Sequence, residues 1–222
     1  MKRKILTIKK PKSKGERSRS FILESAEHHF AKYGYNATRL EDVAEDAGYT
    51  RPGLFYHFPD KPTLYQATLK NAFGNLASEF ETALMGPGTI AERFERAMKV
   101  LIESIVVSPT LGRLILRYVA DAEEQPTTGT IYEDSNQLIL TAWELFNQGC
   151  ENGELKPRHN DPVHTASMVV GSSVFYSATL KVLIPLSDFD PSSPERVAAH
   201  TEETLGVVRY LLGIPDPSKK TR

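Results

Sequence analysis

Between Thr50 and Lys61 the sequence TRPGLFYHFPDK sets a hydroxyl, a guanidinium, a phenol, an imidazole and an ammonium close together, on Thr50, Arg51, Tyr56, His57 and Lys61. All are hydrogen-bond donors, and donors of this kind suit anionic oxygens and the acceptor edges of bases. Thr50 and Lys61 each stand at an expected helix start, where a side-chain donor joins free backbone N–H groups in holding a phosphate. Arg51 is the long cation at the tip of the segment and has the reach and geometry to donate twice to guanine O6 and N7. Pro52 and Gly53 offer apolar contact with a thymine methyl and close approach of the backbone. Catalytic motifs are missing: no Gly-x-x-x-x-Gly-Lys, Gly-x-Gly-x-x-Gly, Gly-x-Ser-x-Gly or His-Glu-x-x-His run occurs.

Two short helices must position these groups. Thr38 with Glu41 three residues on matches a capping box, so a helix is expected to begin at about Thr38. Leu40, Val43, Ala44 and Ala47 then share one face, and Gly48 supplies the left-handed residue that turns the chain. Thr50 caps a second helix, with Pro52 in its first turn, where a missing N–H is harmless. Leu54, Phe55 and Phe58 are expected to pack inward, leaving Thr50, Arg51, Gly53, Tyr56 and His57 facing outward. Helix, tight turn and helix at this spacing form the helix-turn-helix pattern, whose second helix enters the major groove of DNA. Thr38, at the start of the first helix of the pair, joins the candidate DNA contacts.

The same residues resemble the tetracycline-repressor (TetR) family of bacterial transcriptional regulators. Ile22, Ala26, Phe30, Gly34, Thr38, Val43, Ala44, Ala47, Gly48, Tyr49, Thr50, Leu54, Phe55, His57, Phe58, Lys61 and Leu64 match the family pattern in register. The match at motif level ends near Leu69. Phe55 stands where the family most often has Tyr, which makes Tyr56 the expected donor, and Pro52 and Gly53 replace a usual Gly and Thr. The resemblance implies phosphate contacts for Tyr56 and His57; the alternative is that both only cover the small core.

Charge divides along the chain. Residues 1–70 hold 14 Lys or Arg against 8 Asp or Glu, a net of +6, whereas residues 71–222 hold 13 against 20, a net of −7. The basic end is the end with the helix pair, as expected of a domain that meets phosphates. Residues 1–16 read as a basic flexible arm, either a solvated tail or an arm that lies along phosphates or enters a minor groove beside the main contact. No secretion signal or membrane span is legible, and Cys150 is the single cysteine, so a cytoplasmic protein without a disulfide framework is expected.

From Pro62 onward the chain reads as successive helices, at Pro62–Leu84, Ile90–Val107, Leu111–Ala122, Gly129–Asn152, Pro162–Leu183 and Pro194–Leu212. The fold class is all-α: a helix-turn-helix domain at 17–64, a larger helical domain at 65–214 for effector binding and dimerisation, and a tail at 215–222. The resemblance implies a homodimer on a double-stranded, palindromic operator, built through the last two long helices, and a repressor released by a small apolar or amphipathic effector. Candidate effector contacts are Phe94, Met98, Leu101, Leu114, Trp143, Phe146, Met168 and Phe175, each equally readable as core, with Arg117 and Asn147 as polar partners. No cofactor or metal is expected; His159, Asp161 and His164 form the one compact set with ligand chemistry, and Asp161 reads as a helix cap. The alternatives are a DNA-binding protein indifferent to ligands and a helical metal-dependent enzyme.

Overall fold

The computed structural model describes residues 13–121, 131–184 and 189–215, with the backbone alone for 131–136. Outside the described residues lie residues 1–12 of the arm expected over 1–16, the turn expected at Gln125-Pro126, the start of the segment expected from Gly129, and residues 216–222 of the expected tail. Every regular element among the described residues is a helix, and no described helix is long and apolar enough to cross a membrane.

The first helix, α1 (Lys14–Ala37), starts three residues before the expected boundary at residue 17. Ser13 accepts from the Glu16 N–H at 3.2 Å while Glu16 accepts from the Ser13 N–H at 2.6 Å. This capping box draws Lys14, Gly15 and Glu16 out of the expected arm and into the first helical turn. At its other end α1 is broken at Gly34 (φ 77°, ψ 177°), a conformation open to glycine and strained for any side chain.

The Thr38–Glu41 capping box does not form. Thr38 is buried and its hydroxyl donates back to the Gly34 carbonyl at 2.7 Å, bridging the break in α1. The helix that follows, α2 (Leu40–Asp46), is preceded by Arg39 with no side-chain cap. Gly48 turns the chain at φ 77°, and α3 (Arg51–His57) begins as expected, with Thr50 accepting from the Gly53 N–H at 3.3 Å.

Next come α4 (Lys61–Leu84), capped by Asp60, and α5 (Ile90–Val107), which opens on a Thr89–Glu92 capping box. Ser108 caps α6 (Pro109–Ala120) two residues earlier than expected, because Pro109 is accommodated in the first turn. The chain continues through α7 (Ile131–Glu151), α8 (Pro162–Ala178), α9 (Leu180–Leu183) and α10 (Pro194–Leu212). The single helix expected over Pro162–Leu183 is two, interrupted at Thr179 (φ −113°, ψ −39°).

A small core gathers Ile22, Ala26 and Phe30 of α1, Val43 of α2, Leu54 of α3 and Leu64 of α4. Leu114 of α6, fully buried, completes it. A larger core joins Phe94, Ala97 and Ile102 of α5 to Phe146 of α7, Val169 of α8, and Val208 and Leu212 of α10. α4 serves both, so the boundary expected at residue 64 falls inside a continuous helix: Leu64, Tyr65 and Leu69 enter the small core, Ala83 and Leu84 the larger.

Within the larger unit the buried Arg209 guanidinium bonds Glu95 at 2.6 Å and Glu202 at 2.8 Å, which holds it charged well above its ordinary range. His200 of α10 stacks on Tyr176 of α8 at 4.1 Å between ring centres.

Two predictions follow from packing. Gly34→Ala forces a side chain into the positive-φ position and sets its Cβ 2.8 Å from Asp121 Oδ2. The variant is expected to lose about 1–3 kcal/mol in denaturant unfolding. Burial lowers the His200 pKa from 6.5; the unfolded chain then binds the proton first as pH falls. His200 therefore contributes stability above its unfolded value that is lost as pH drops below it through the lowered folded value. His200→Phe is expected to flatten the fall in melting temperature between roughly pH 7 and pH 5.

Candidate nucleic-acid interface and internal cavity

α3 presents its N-terminal half to solvent because Leu54 and Phe58, four residues apart, are the side chains it buries. Tyr56, at 87% exposed, is the most open aromatic group among the described residues. His57 sits edge-on to it at 5.2 Å. Phe55, expected to be wholly internal, is half-buried and lies under the Arg51 guanidinium at 5.4 Å. Arg51 Nε also pairs with Glu41 Oε1 at 3.1 Å. Both partners are largely exposed, and a surface pair of this kind contributes at most about 1 kcal/mol.

Thr50, Pro52 and Gly53 lie on the same open end of α3. Thr38 does not join them: its side chain is buried and its hydroxyl already bonded, which removes it as a side-chain contact. Lys61 is half-buried at the start of α4, with Nζ donating to the Asn36 carbonyl at 3.0 Å and lying 4.9 Å over the Tyr35 ring. Partial burial lowers its pKa. The ammonium has three N–H groups, so two remain for a phosphate. Beside it Arg19 of α1 stacks over Phe58 at 4.8 Å.

A second feature is a cavity of about 470 Å³ lined by α4, α5, α7 and α8 and open to solvent beside Ile139 and Val163, each more than half exposed. Four of the expected effector contacts line it: Phe94, Met98 and Leu101 from α5 and Trp143 from α7. The other six do not. Leu114 belongs to the small core and Phe146 to the larger one, edge-on to Phe94 at 6.5 Å. Arg117 reaches α1, its Nη2 3.4 Å from the Lys32 carbonyl, and Asn147 is exposed on α7. Met168 and Phe175 are each 51% exposed. Their place follows from helical geometry: α8 turns Pro162, Ala166 and Val170 to the cavity, four residues apart, and a residue two positions from Ala166 faces the other way.

The sequence reading missed the α4 wall of Phe73, Leu76, Ala77 and Phe80. Their spacing of three, one and three residues is one helical stripe, legible as apolar but silent on whether it meets protein or empty space. No group of three or more metal-ligating side chains occurs among the described residues. His164 and Asp161 are an exposed pair at 3.9 Å, and Asp161 caps α8 through the Val163 N–H at 2.9 Å.

Comparison with known proteins places this geometry. Residues 22–68 match the family of bacterial regulatory proteins named tetR. The HTH-type transcriptional regulator RutR of Escherichia coli K12 is 42% identical over 65 residues, 27% of this chain and 31% of that protein. The chain thus spans about a third of the length of this relative. The HTH-type transcriptional repressor KstR2 of Mycobacterium tuberculosis is 27% identical over 143 residues, covering 63% of this chain and 70% of that one. Solved structures share the fold nearly end to end. One of KstR2 from Mycobacterium tuberculosis has a TM-score of 0.67 at 21% identity, covering 89% and 95% of the two chains. A TetR family transcription regulator from Marinobacter aquaeolei VT8 has a TM-score of 0.64 at 16% identity, covering 85% and 94%. The helix-turn-helix at residues 40–57 lies inside the segment that matches the tetR family of bacterial regulatory proteins, and the all-α fold is the one these solved structures share.

Proposed function

We propose that the protein is a cytoplasmic, dimeric, sequence-specific transcriptional repressor that leaves its operator when a small molecule fills the cavity. The observation that carries the DNA-binding part is the open end of α3, where Thr50, Arg51, Tyr56 and His57 stand together above a rigid apolar base of Leu54 and Phe58. Arg51 reads a guanine, while Thr50, Tyr56, His57 and Lys61 hold phosphates and fix the register.

Dimerisation through α8, α9 and α10 is supported by side chains with no apolar cover in the single chain. Met168, Phe175, Val182 and Leu183 on α8 and α9, and Tyr210 on α10, are each more than half exposed. A dimer sets two recognition helices about 34–36 Å apart, one turn of DNA, and makes the operator a palindrome.

The packing supplies a route from cavity to DNA. Gly112 of α6 lies so close to Ser177 of α8 that an added Cβ would stand 2.7 Å from its hydroxyl. α6 in turn holds α1 through Leu114 and through Asp121, whose carboxylate accepts the Tyr35 N–H at 3.3 Å. An occupant that moves α8 carries α6 and the helix pair with it, and favours the arrangement out of step with adjacent major grooves. A ligand-indifferent regulator would show equal operator affinity with the cavity filled or empty.

Selection of bound fragments from a random DNA library is expected to return a palindrome with half-sites about one turn apart. Arg51→Ala is expected to lose about 1–3 kcal/mol at that site and to relax one base position per half-site; an equal loss on all sequences would make Arg51 a phosphate contact. Lys61→Met is expected to weaken every sequence alike and to reduce the salt slope of binding by about 1 per subunit.

A further inference from the structure

We infer that the cavity between α4, α5, α7 and α8 selects uncharged, hydrocarbon-rich molecules and rejects those that bring a carboxylate, sulfonate or ammonium into it. The inference rests on the effector reading above and narrows it to one ligand chemistry. Among the described residues its walls hold no ionisable side chain: Phe73, Leu76, Phe80, Met98, Leu101 and Trp143 typify a lining whose one described side-chain donor is the Trp143 indole N–H. The backbone around it is helical, and at the start of α8, where intrahelical partners are lacking, the Val163 N–H is taken by the Asp161 carboxylate.

A charged group inside would give up its hydration and find no partner. The two polar residues expected to anchor an anion or amide lie elsewhere, Arg117 on the Lys32 carbonyl and Asn147 on the outer face of α7. Asp161 and His164, at the start of α8, face solvent and each other. With about 470 Å³ of space, the cavity is the size that takes a compact organic ligand. Met98 and the aromatic walls let it accept a range of shapes, so chemistry rather than outline decides entry.

Trp143 is the only tryptophan in the chain and stands in the wall, which makes it the reporter. N-phenyl-1-naphthylamine and 8-anilinonaphthalene-1-sulfonate share one skeleton and differ by a sulfonate. Titrated into the full-length protein, the uncharged probe is expected to saturate at one per chain by energy transfer from Trp143. Its dissociation constant is expected to be at least about tenfold below that of the sulfonate. 1-Dodecanol is expected to displace it at concentrations at least about tenfold below those needed for dodecanoate.

Equal affinities within either pair, or no binding by the uncharged probe, would overturn the inference. Ala142→Phe, which fills the cavity, is expected to abolish binding, whereas Val119→Ser on the exposed face of α6 leaves it unchanged; the reverse pattern would move the probe to that face and also overturn it. Operator affinity measured with and without the uncharged probe separates the two readings. Discrimination between probes with unchanged DNA binding keeps the selectivity and removes effector release, while loss of DNA binding to charged and uncharged probes alike does the opposite.

Discussion

The burial of Leu114 is the contact on which the rest of the architecture depends. The helix pair and α1 form a unit too small to enclose a full core of its own. Ile22, Phe30, Leu54 and Leu64 meet around a gap that a side chain from α6 closes. Asp121 at the end of α6 accepts the Tyr35 N–H where α1 is broken at Gly34, and Arg117 reaches the Lys32 carbonyl. The DNA-facing unit is therefore finished by the domain that holds the cavity.

That dependence joins structure to function. A helix-turn-helix bolted rigidly to its own core would be blind to events elsewhere in the chain. Here α6 is packed on α8 on one side, through Gly112, Leu111 and Val174, and on α1 on the other. Interfaces so closely packed deform in steps rather than continuously, so under the proposed release an occupant of the cavity that altered α8 would alter the seat of α1 as well. The small residue at Gly112 and the absent side chain at Gly34 are what let three helices approach within reach of one another.

Much of this was legible in the sequence where local rules decide. Gly48, the Thr50 cap, Pro52 in a first turn and the inward pair Leu54 and Phe58 all follow from backbone chemistry within a few residues. The limits of α5 and the start of α10 were legible from the turn residues beside them, Gly86-Pro87-Gly88 and Ser108-Pro109 for the one and Pro194 for the other. Thr38 shows where local rules compete: its hydroxyl had two possible acceptors or donors within reach, and the break at Gly34 took it. The same logic at Ser13 and Glu16 was obscured by the surrounding lysines and arginines. What sequence could not supply was long-range. Periodicity marks Leu114, Phe146 and Leu101 alike as apolar, and only packing separates a residue that seals the small core, one that fills the larger core, and one that faces an open cavity.

The most direct test of the α6 seal is backbone hydrogen exchange in the full-length chain beside its Leu114→Ala variant. If α6 completes the small core, the variant loses protection across α1 and α3 while α5 and α10 keep theirs. Unchanged protection in α1 and α3 would show that the helix pair stands without α6, and would contradict the account of how the cavity reaches DNA.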